Sequence, residues 1–276
     1  DWSSDVCSSD LQADYYQRLE DRSDAVRLVR SMADLDHILQ TWEPDKTLRQ
    51  HQQGLVLLME NADPIIEPRQ LEEWYGRGLR IIGPAWSASR YSGGTGQPGP
   101  LTDLGRELLE MMAAFSMILD MSHMAEEACF QALDIYEGSV IASHSNPRRF
   151  CNTDRHLSDT MIRRLAERDG VMGIVLFNQF LDDRWHSGNR KAIITLDHVV
   201  DAVDHVCQVT GSAAHVGLGS DFDGGFGVES IPAEIDTVAD LWQIPAKLFL
   251  RGYADDDISA IVGGNMLRKL REGLAI

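Results

Sequence analysis

The sequence predicts an α/β protein: a parallel (β/α)8 barrel of TIM type, incomplete at its N-terminus. Three observations predict it. Short apolar runs alternate with amphipathic helical stretches along the 276 residues, a pattern that calls for parallel strands joined by right-handed crossovers. Six such runs are present, where a closed barrel needs eight. No internal repeat or low-complexity linker divides the chain, and its length suits one barrel domain.

Residues 1–12, Asp1-Trp2-Ser3-Ser4-Asp5-Val6-Cys7-Ser8-Ser9-Asp10-Leu11-Gln12, are rich in Ser and Asp and show no amphipathic period. They read as a non-native leader. The barrel domain is therefore placed at 13–276, with the two missing strands expected upstream of Ala13. From residue 13 to about residue 40 the spacing predicts helix, with Leu19, Val26, Val29, Leu35 and Ile38 on one face. Leu55-Val56-Leu57-Leu58-Met59 reads as a buried strand that ends in Glu60. A polar stretch with Pro64 and Pro68 leads to a short helix near 71–75, and a second strand is expected at 79–85.

Residues 92–100 read as a Gly/Pro loop, after which Thr102 caps a helix carrying Leu104, Leu108, Met111, Met112 and Phe115. Strands are expected at 117–121, 140–142, 171–177 and 216–219. Between them lie helices closed by Gly138, capped by Ser158 and started at Thr195. The last sixty residues read as helices.

Two segments end alike: Leu119-Asp120-Met121-Ser122-His123 and Val140-Ile141-Ala142-Ser143-His144. A strand that delivers a histidine from its C-terminal end, twice within 21 residues, is how parallel barrels present metal ligands. Residues at or just after the strand ends are Glu60, Trp86, His123, His144, Asn178 and Asp221, all expected on one face. Alone, each has a plain structural reading: Glu60 as a surface acid, Asp221 as a turn residue in Gly219-Ser220-Asp221-Phe222-Asp223-Gly224-Gly225. Together, Glu, His, His and Asp are the ligand and base types of a metal site. His37, His51, His186, His198 and His205 lie on expected helices or loops and carry no such signal. Gly94-Thr95-Gly96-Gln97-Pro98-Gly99 matches G-x-G-x-x-G. No strand precedes it directly, and Pro98 and Pro100 remove amide donors, so a plain loop is expected there.

A formal net charge of −18 argues against nucleic acid and anionic membrane as partners, since phosphate binding needs clustered Lys and Arg. With 43% hydrophobic and 25% charged residues the composition is that of a globular protein. Cys7, Cys129, Cys151 and Cys207 form no C-x-x-C pair, which fits isolated thiols in a reducing compartment, and a cytoplasmic location is expected. Neither a membrane span nor a secretory leader is expected.

The motifs converge on a family. From about Ala13 onward the chain resembles the zinc dipeptidases typified by membrane (renal) dipeptidase. The resembling segments include Leu-Val-Leu-Leu-Met-Glu-Asn-Ala-Asp (55–63), Gly-Pro-Leu-Thr-Asp-Leu-Gly (99–105) and Ile-Leu-Asp-Met-Ser-His (118–123). Val-Ile-Ala-Ser-His-Ser (140–145), Asp-Arg-His-Leu-Ser-Asp (154–159) and Gly-Leu-Gly-Ser-Asp-Phe-Asp-Gly (217–224) continue the series in order. The resemblance implies a metallo-hydrolase barrel with two zinc ions bridged by Glu60, with His123 and His144 completing one site. It implies that Arg155 pairs with the substrate carboxylate and that Asp221 handles protons. The implied reaction is hydrolysis of dipeptides as the small peptide substrate, with tolerance of a D-residue on the C-terminal side; a homodimer is compatible with it.

Three departures matter. The family's His-x-Asp, which completes the other zinc site, occurs nowhere in this chain. A histidine that the family uses near the scissile carbonyl is replaced by Trp86, counted here among the substrate-binding positions, and His156 follows Arg155 where asparagine is usual. Impaired activity of this chain is therefore expected. Two other readings stay open: a non-catalytic barrel that binds a small molecule or peptide, and another amidohydrolase-type reaction on the same metal face.

Overall fold

The computed structural model describes residues 2–275. Asp1, the first of the twelve leader residues, lies outside them, as do the side chains of residues 2–7, Cys7 among them. The strands in chain order are β1 (Val26–Leu28), β2 (Gln53–Leu55), β3 (Leu57–Glu60), β4 (Leu79–Gly83), β5 (Ser92–Gly94), β6 (Gln97–Leu101), β7 (Ile118–Asp120), β8 (Val140–Ser145), β9 (Val171–Ile174) and β10 (Val216–Leu218). Six of them form the central sheet in the order β10-β9-β8-β7-β4-β3, every pair parallel. These are the six strands that the alternation predicts, and their C-terminal ends point one way.

Three local expectations need correction. The helix expected over residues 13–40 is two helices, Trp2–Arg22 and Met32–Gln40, separated by β1. Arg27 explains the error. It lies in β1 with its guanidinium on Asp34, so a charged residue sits in a strand too short to show alternation. Residues 53–60 are likewise two strands: β2 pairs with β1, while β3 pairs with β4. The Gly/Pro stretch at 92–100 is an antiparallel hairpin of β5 and β6. Its glycines allow the close approach of the two arms, since a Cβ on Gly93 would lie 2.3 Å from the Gly99 amide nitrogen.

Strands β7, β8 and β9 are buried on both faces, as near-continuous apolar runs in a parallel sheet must be. The covering helices bury one stripe each: Leu108, Leu109 and Met112 on Asp103–Ala114, Met161, Ile162 and Leu165 on Asp159–Glu167. Their starts follow the sequence signals, with Thr102 accepting from the Gly105 amide and Ser158 from that of Met161. Between the first helix and β3 lies a cavity of about 340 Å³, lined by Gln12, Tyr16, Leu57, Met59 and Glu60 among others.

Gly173 on β9 and Gly219 just after β10 pack against the Ser143 carbonyl of β8. A Cβ at either position would fall 2.1 or 2.0 Å from that oxygen. Gly173→Ala is therefore expected to destabilise the chain by roughly 1–3 kcal/mol, because backbone must move to make room. Urea denaturation of the variant beside the parent reads this, and an unchanged midpoint would contradict it.

Candidate metal centre

Three of the expected strand-end residues meet at one point. Glu60 closes β3, His144 lies near the end of β8, and His123 follows β7 by three residues. One Glu60 oxygen, Oε1, lies 3.0 Å from His123 Nε2 and 2.9 Å from His144 Nε2. The two rings are 5.2 Å apart. Asn61, His123 and Asp221 all have φ between 56° and 69°, in the left-handed region. Non-glycine residues held there just beyond three strands of one sheet are strained, which is common around functional sites.

Each ring is held from behind by a hydroxyl. Thr95 Oγ1 lies 3.1 Å from His123 Nδ1 and 3.3 Å from the His123 carbonyl oxygen. Ser143 Oγ lies 2.7 Å from His144 Nδ1 and donates to Asp120 Oδ2 at 2.5 Å. Asp120 is buried, and its other oxygen accepts from the Ser122 and Ser143 amides at 3.0 and 2.8 Å. Ser122 Oγ in turn accepts from the His144 amide at 3.1 Å. The serines of both Ser-His pairs thus join their two strands beneath the rings.

Electrostatics follow from this packing. Burial works against the Glu60 charge, but hydrogen bonds from His123 and His144 outweigh it and hold its carboxyl far below the ordinary carboxylate range. Burial also pulls His123 below the usual histidine value, and the Arg155 charge adds to that. His144 is raised, because its bond to Glu60 and the Asp120 charge overcome burial. Asp221, half-buried, is raised by burial and by repulsion from Glu60, against the pull of His144 and Arg155.

The other expected site residues sit around this point. Trp86 stacks on His123 with ring centroids 5.4 Å apart and planes at 27°, and it is half exposed. Arg155 is buried, donating to the His144 carbonyl at 2.7 Å and to Ser145 Oγ at 3.3 Å. Asn178 does not close a strand. β9 ends at Ile174, and Asn178 begins the short helix Asn178–Leu181. His156, next to Arg155, is buried edge-on to Phe180 at 4.4 Å, with neither ring nitrogen hydrogen-bonded to any described residue.

Thr95, Asp120 and Ser143 escaped the sequence reading. Thr95 lies in the Gly-rich stretch read as a plain loop, and the hairpin there carries it over the end of β7. For Ser143 a signal existed, because serine precedes histidine in both paired motifs. Asp120 sits within an apolar run, where a carboxylate needs several donors to be tolerated.

Glu60, His123 and His144 offer a carboxylate oxygen and two imidazole nitrogens within 4.8 Å of one another, the only such group of three found among the described residues. Zinc and similar borderline ions take this donor set, so the residues present fit a single ion.

A parallel α/β sheet with a candidate metal group at its strand ends defines a broad class of barrels. Comparison narrows it. The family model for membrane dipeptidase (peptidase family M19) matches residues 2–274, and the chain belongs to that family. A protein from the pqqA 5' region of Klebsiella pneumoniae is 33% identical over 214 residues, covering 74% of this chain and 76% of that protein. A dipeptidase of Schizosaccharomyces pombe is 30% identical over 206 residues, 73% of this chain but 48% of its own length. The chain thus spans about half the length of that relative. Among solved structures, dipeptidase AC superposes with a TM-score of 0.83 at 23% identity, over 96% of this chain and 76% of that one. A metallopeptidase from Rhodobacter sphaeroides, liganded with a phosphinate mimic of the dipeptide L-Ala-D-Ala, gives 0.81 at 23% identity, over 95% and 73%. These neighbours share the parallel α/β fold. No helix among the described residues is long and apolar enough to cross a membrane.

Proposed function

We propose that the chain is the metal-binding barrel of a zinc dipeptidase, with Glu60, His123 and His144 as ligands of one ion. The observation that carries this reading is the convergence of one carboxylate oxygen and two Nε2 atoms at 2.9–3.0 Å. Such an ion, when bound, supplies Lewis acidity and lowers the pKa of the attacking water toward ~7. The residues around it have separate tasks. Arg155 still has guanidinium donors beyond those given to His144 and Ser145, and a planar fork suits the dipeptide carboxylate. Asp221, its proton affinity raised by burial, takes the proton released on attack and passes it to the leaving amine. Trp86 forms an apolar wall over His123 and narrows the space for the substrate side chain. Substrates are small dipeptides, including those with a C-terminal D-residue; the dipeptide mimic held by the Rhodobacter neighbour supports this choice.

For this chain the reading is one ion. The second zinc implied by the resemblance has no further group of three donors among the described residues. Metal analysis of the purified chain is expected to give about one zinc per chain, and a dipeptide panel with L- and D-residues at the second position tests turnover. A chain that hydrolyses dipeptides when stripped of metal overturns the reading. Zinc uptake and peptide binding without turnover in any protein that contains this chain would favour the binding-only barrel, for which the Trp86 stack is the supporting observation.

Arg155→Lys keeps the charge but loses the fork. It is expected to raise KM for dipeptides about 10–100-fold, the worth of a charge-assisted bidentate contact, with zinc affinity little changed. Steady-state kinetics beside a zinc titration check this. Equal KM values would remove Arg155 from substrate binding.

A further inference from the structure

We infer that this chain pairs with a second copy of itself through the outer face of the helix Gln243–Arg251, the two helices lying antiparallel about a two-fold axis near Ala246. The inference is independent of the metal centre.

The helix is apolar on two sides. Ile244 and Leu248 are buried and join the main core. Trp242, Ala246, Phe249 and Leu250, spaced i, i+4, i+7 and i+8, form a second stripe that faces solvent. The three large side chains of that stripe are 70%, 64% and 79% exposed. Val238 lies in the 3-10 turn Val238–Trp242, which leads directly into the helix, and is 71% exposed. A helix that is apolar all round belongs in an interior. These four large side chains leave on the order of 500 Å² of apolar surface in water, at the upper end of what a monomer shows. With a polar rim added, that area approaches the roughly 800 Å² per partner of a specific interface.

The shape and charge of the face select the occupant. Bulky Trp242 and Leu250 stand four positions either side of the small Ala246. In an antiparallel pair centred on Ala246, Trp242 of each copy meets Leu250 of the other, and the alanine lets the two backbones close. Such a contact is isologous, the commonest kind in closed oligomers. Charge also runs one way along the helix. Asp236 and Asp240 precede it, while Lys247 and Arg251 stand near its end. Antiparallel pairing lays the acidic start of each copy on the basic end of its mate and opposes the two helix dipoles. Parallel pairing would set like ends together.

The rim is already in place. Lys247 is held by Asp197, and Arg251 by Asp201 and Asp204, all three acids on the helix Leu196–Thr210. No position of the stripe itself carries a charge, the usual contrast between an interface core and its rim. The net charge of −18 on each copy opposes approach. At physiological salt it is screened beyond about 8 Å, which leaves the contact surface to decide.

Sedimentation of the purified chain tests the pairing. A contact of this size is expected to give a Kd of about 1–100 µM, so the parent should pass from monomer to dimer across that range. Trp242→Glu and Leu250→Glu change exposed side chains away from the metal centre. Each is expected to weaken the dimer about 10–100-fold, the loss typical of a central anchor, with circular dichroism unchanged. Cross-linking reads the orientation. Ala246→Cys faces its own mate and is expected to form a disulfide between copies. Ala239→Cys lies about 10 Å along the helix from the axis, out of disulfide reach of its mate in an antiparallel pair, and is not. A chain that stays monomeric across the range overturns the inference and leaves this face to a different partner. A dimer that survives Trp242→Glu, or one that Ala239→Cys bridges and Ala246→Cys does not, overturns it as well.

Discussion

Glu60→Gln is expected to abolish tight zinc binding and any dipeptide hydrolysis that depends on it. Glu60 is the only anion in the group of three, and its oxygen touches both imidazoles. Glutamine has nearly the same shape but presents a neutral oxygen or an NH2 to the two Nε2 atoms. Without the carboxylate charge, affinity is expected to fall at least about 100-fold, equal to ~3 kcal/mol. The metal-free fold loses a smaller amount, because the histidines that hold the Glu60 carboxyl low favour its charged form in the folded chain. The Glu60 side chain is 40% exposed at a strand end, and among the described residues its partners are the two histidines. Metal-free Tm should therefore fall modestly, while the rise in Tm that zinc gives the parent should vanish. Calorimetry with and without zinc reads both quantities. A variant still stabilised by zinc to the parent's extent would exclude Glu60 as a ligand.

Acid should unfold this chain early, and His156 is the reason. The ring is 1% exposed, and neither nitrogen has a hydrogen-bond partner among the described residues. Burial first, then the charges of Arg155, Arg148 and His123, pull its pKa from 6.5 down to about 3. In the unfolded chain the ring titrates near 6.5, so below that pH the unfolded state binds a proton that the folded state refuses. Stability contributed by the neutral ring is whole above pH 6.5 and is lost as pH falls toward about 3. The slope is about 1.4 kcal/mol per pH unit, approaching roughly 5 kcal/mol over the window. His156→Phe removes the ionisation and leaves no hydrogen bond broken, since the ring makes none; it should flatten the acid limb. Urea midpoints at pH 7, 6, 5 and 4 for parent and variant measure the difference. Parallel slopes would show that His156 is not the group responsible.

Much of the fold was legible because its signals are local. The six strands of the central sheet are short apolar runs, and their order follows from alternation with helices. β1 was missed because Val26-Arg27-Leu28 is too short for its alternation to be told from a helical face that Val26 and Val29 also fit. At the site, Glu60, His123 and His144 were legible from position alone: each ends or follows an apolar run, and parallel strands send such residues to one face. Asn178 failed the same test, since β9 stops at Ile174 and the chain turns into a helix before reaching it. Thr95 was not legible. It lies 28 residues from His123, and only the β5–β6 hairpin folding back over β7 brings the two together.

By itself, then, the sequence determined the parallel α/β architecture, the helix caps and the types of residue at the strand ends, because periodicity, capping and strand polarity act over a few neighbouring residues. Only the tertiary structure decided that Glu60, His123 and His144 share a single oxygen, that Trp86 lies flat on His123, and that Asp120 stands behind Ser143. Those depend on the stagger between strands and on where the loops come to rest. Metal affinity and proton position change over tenths of an ångström, a scale that residue spacing along a chain does not encode.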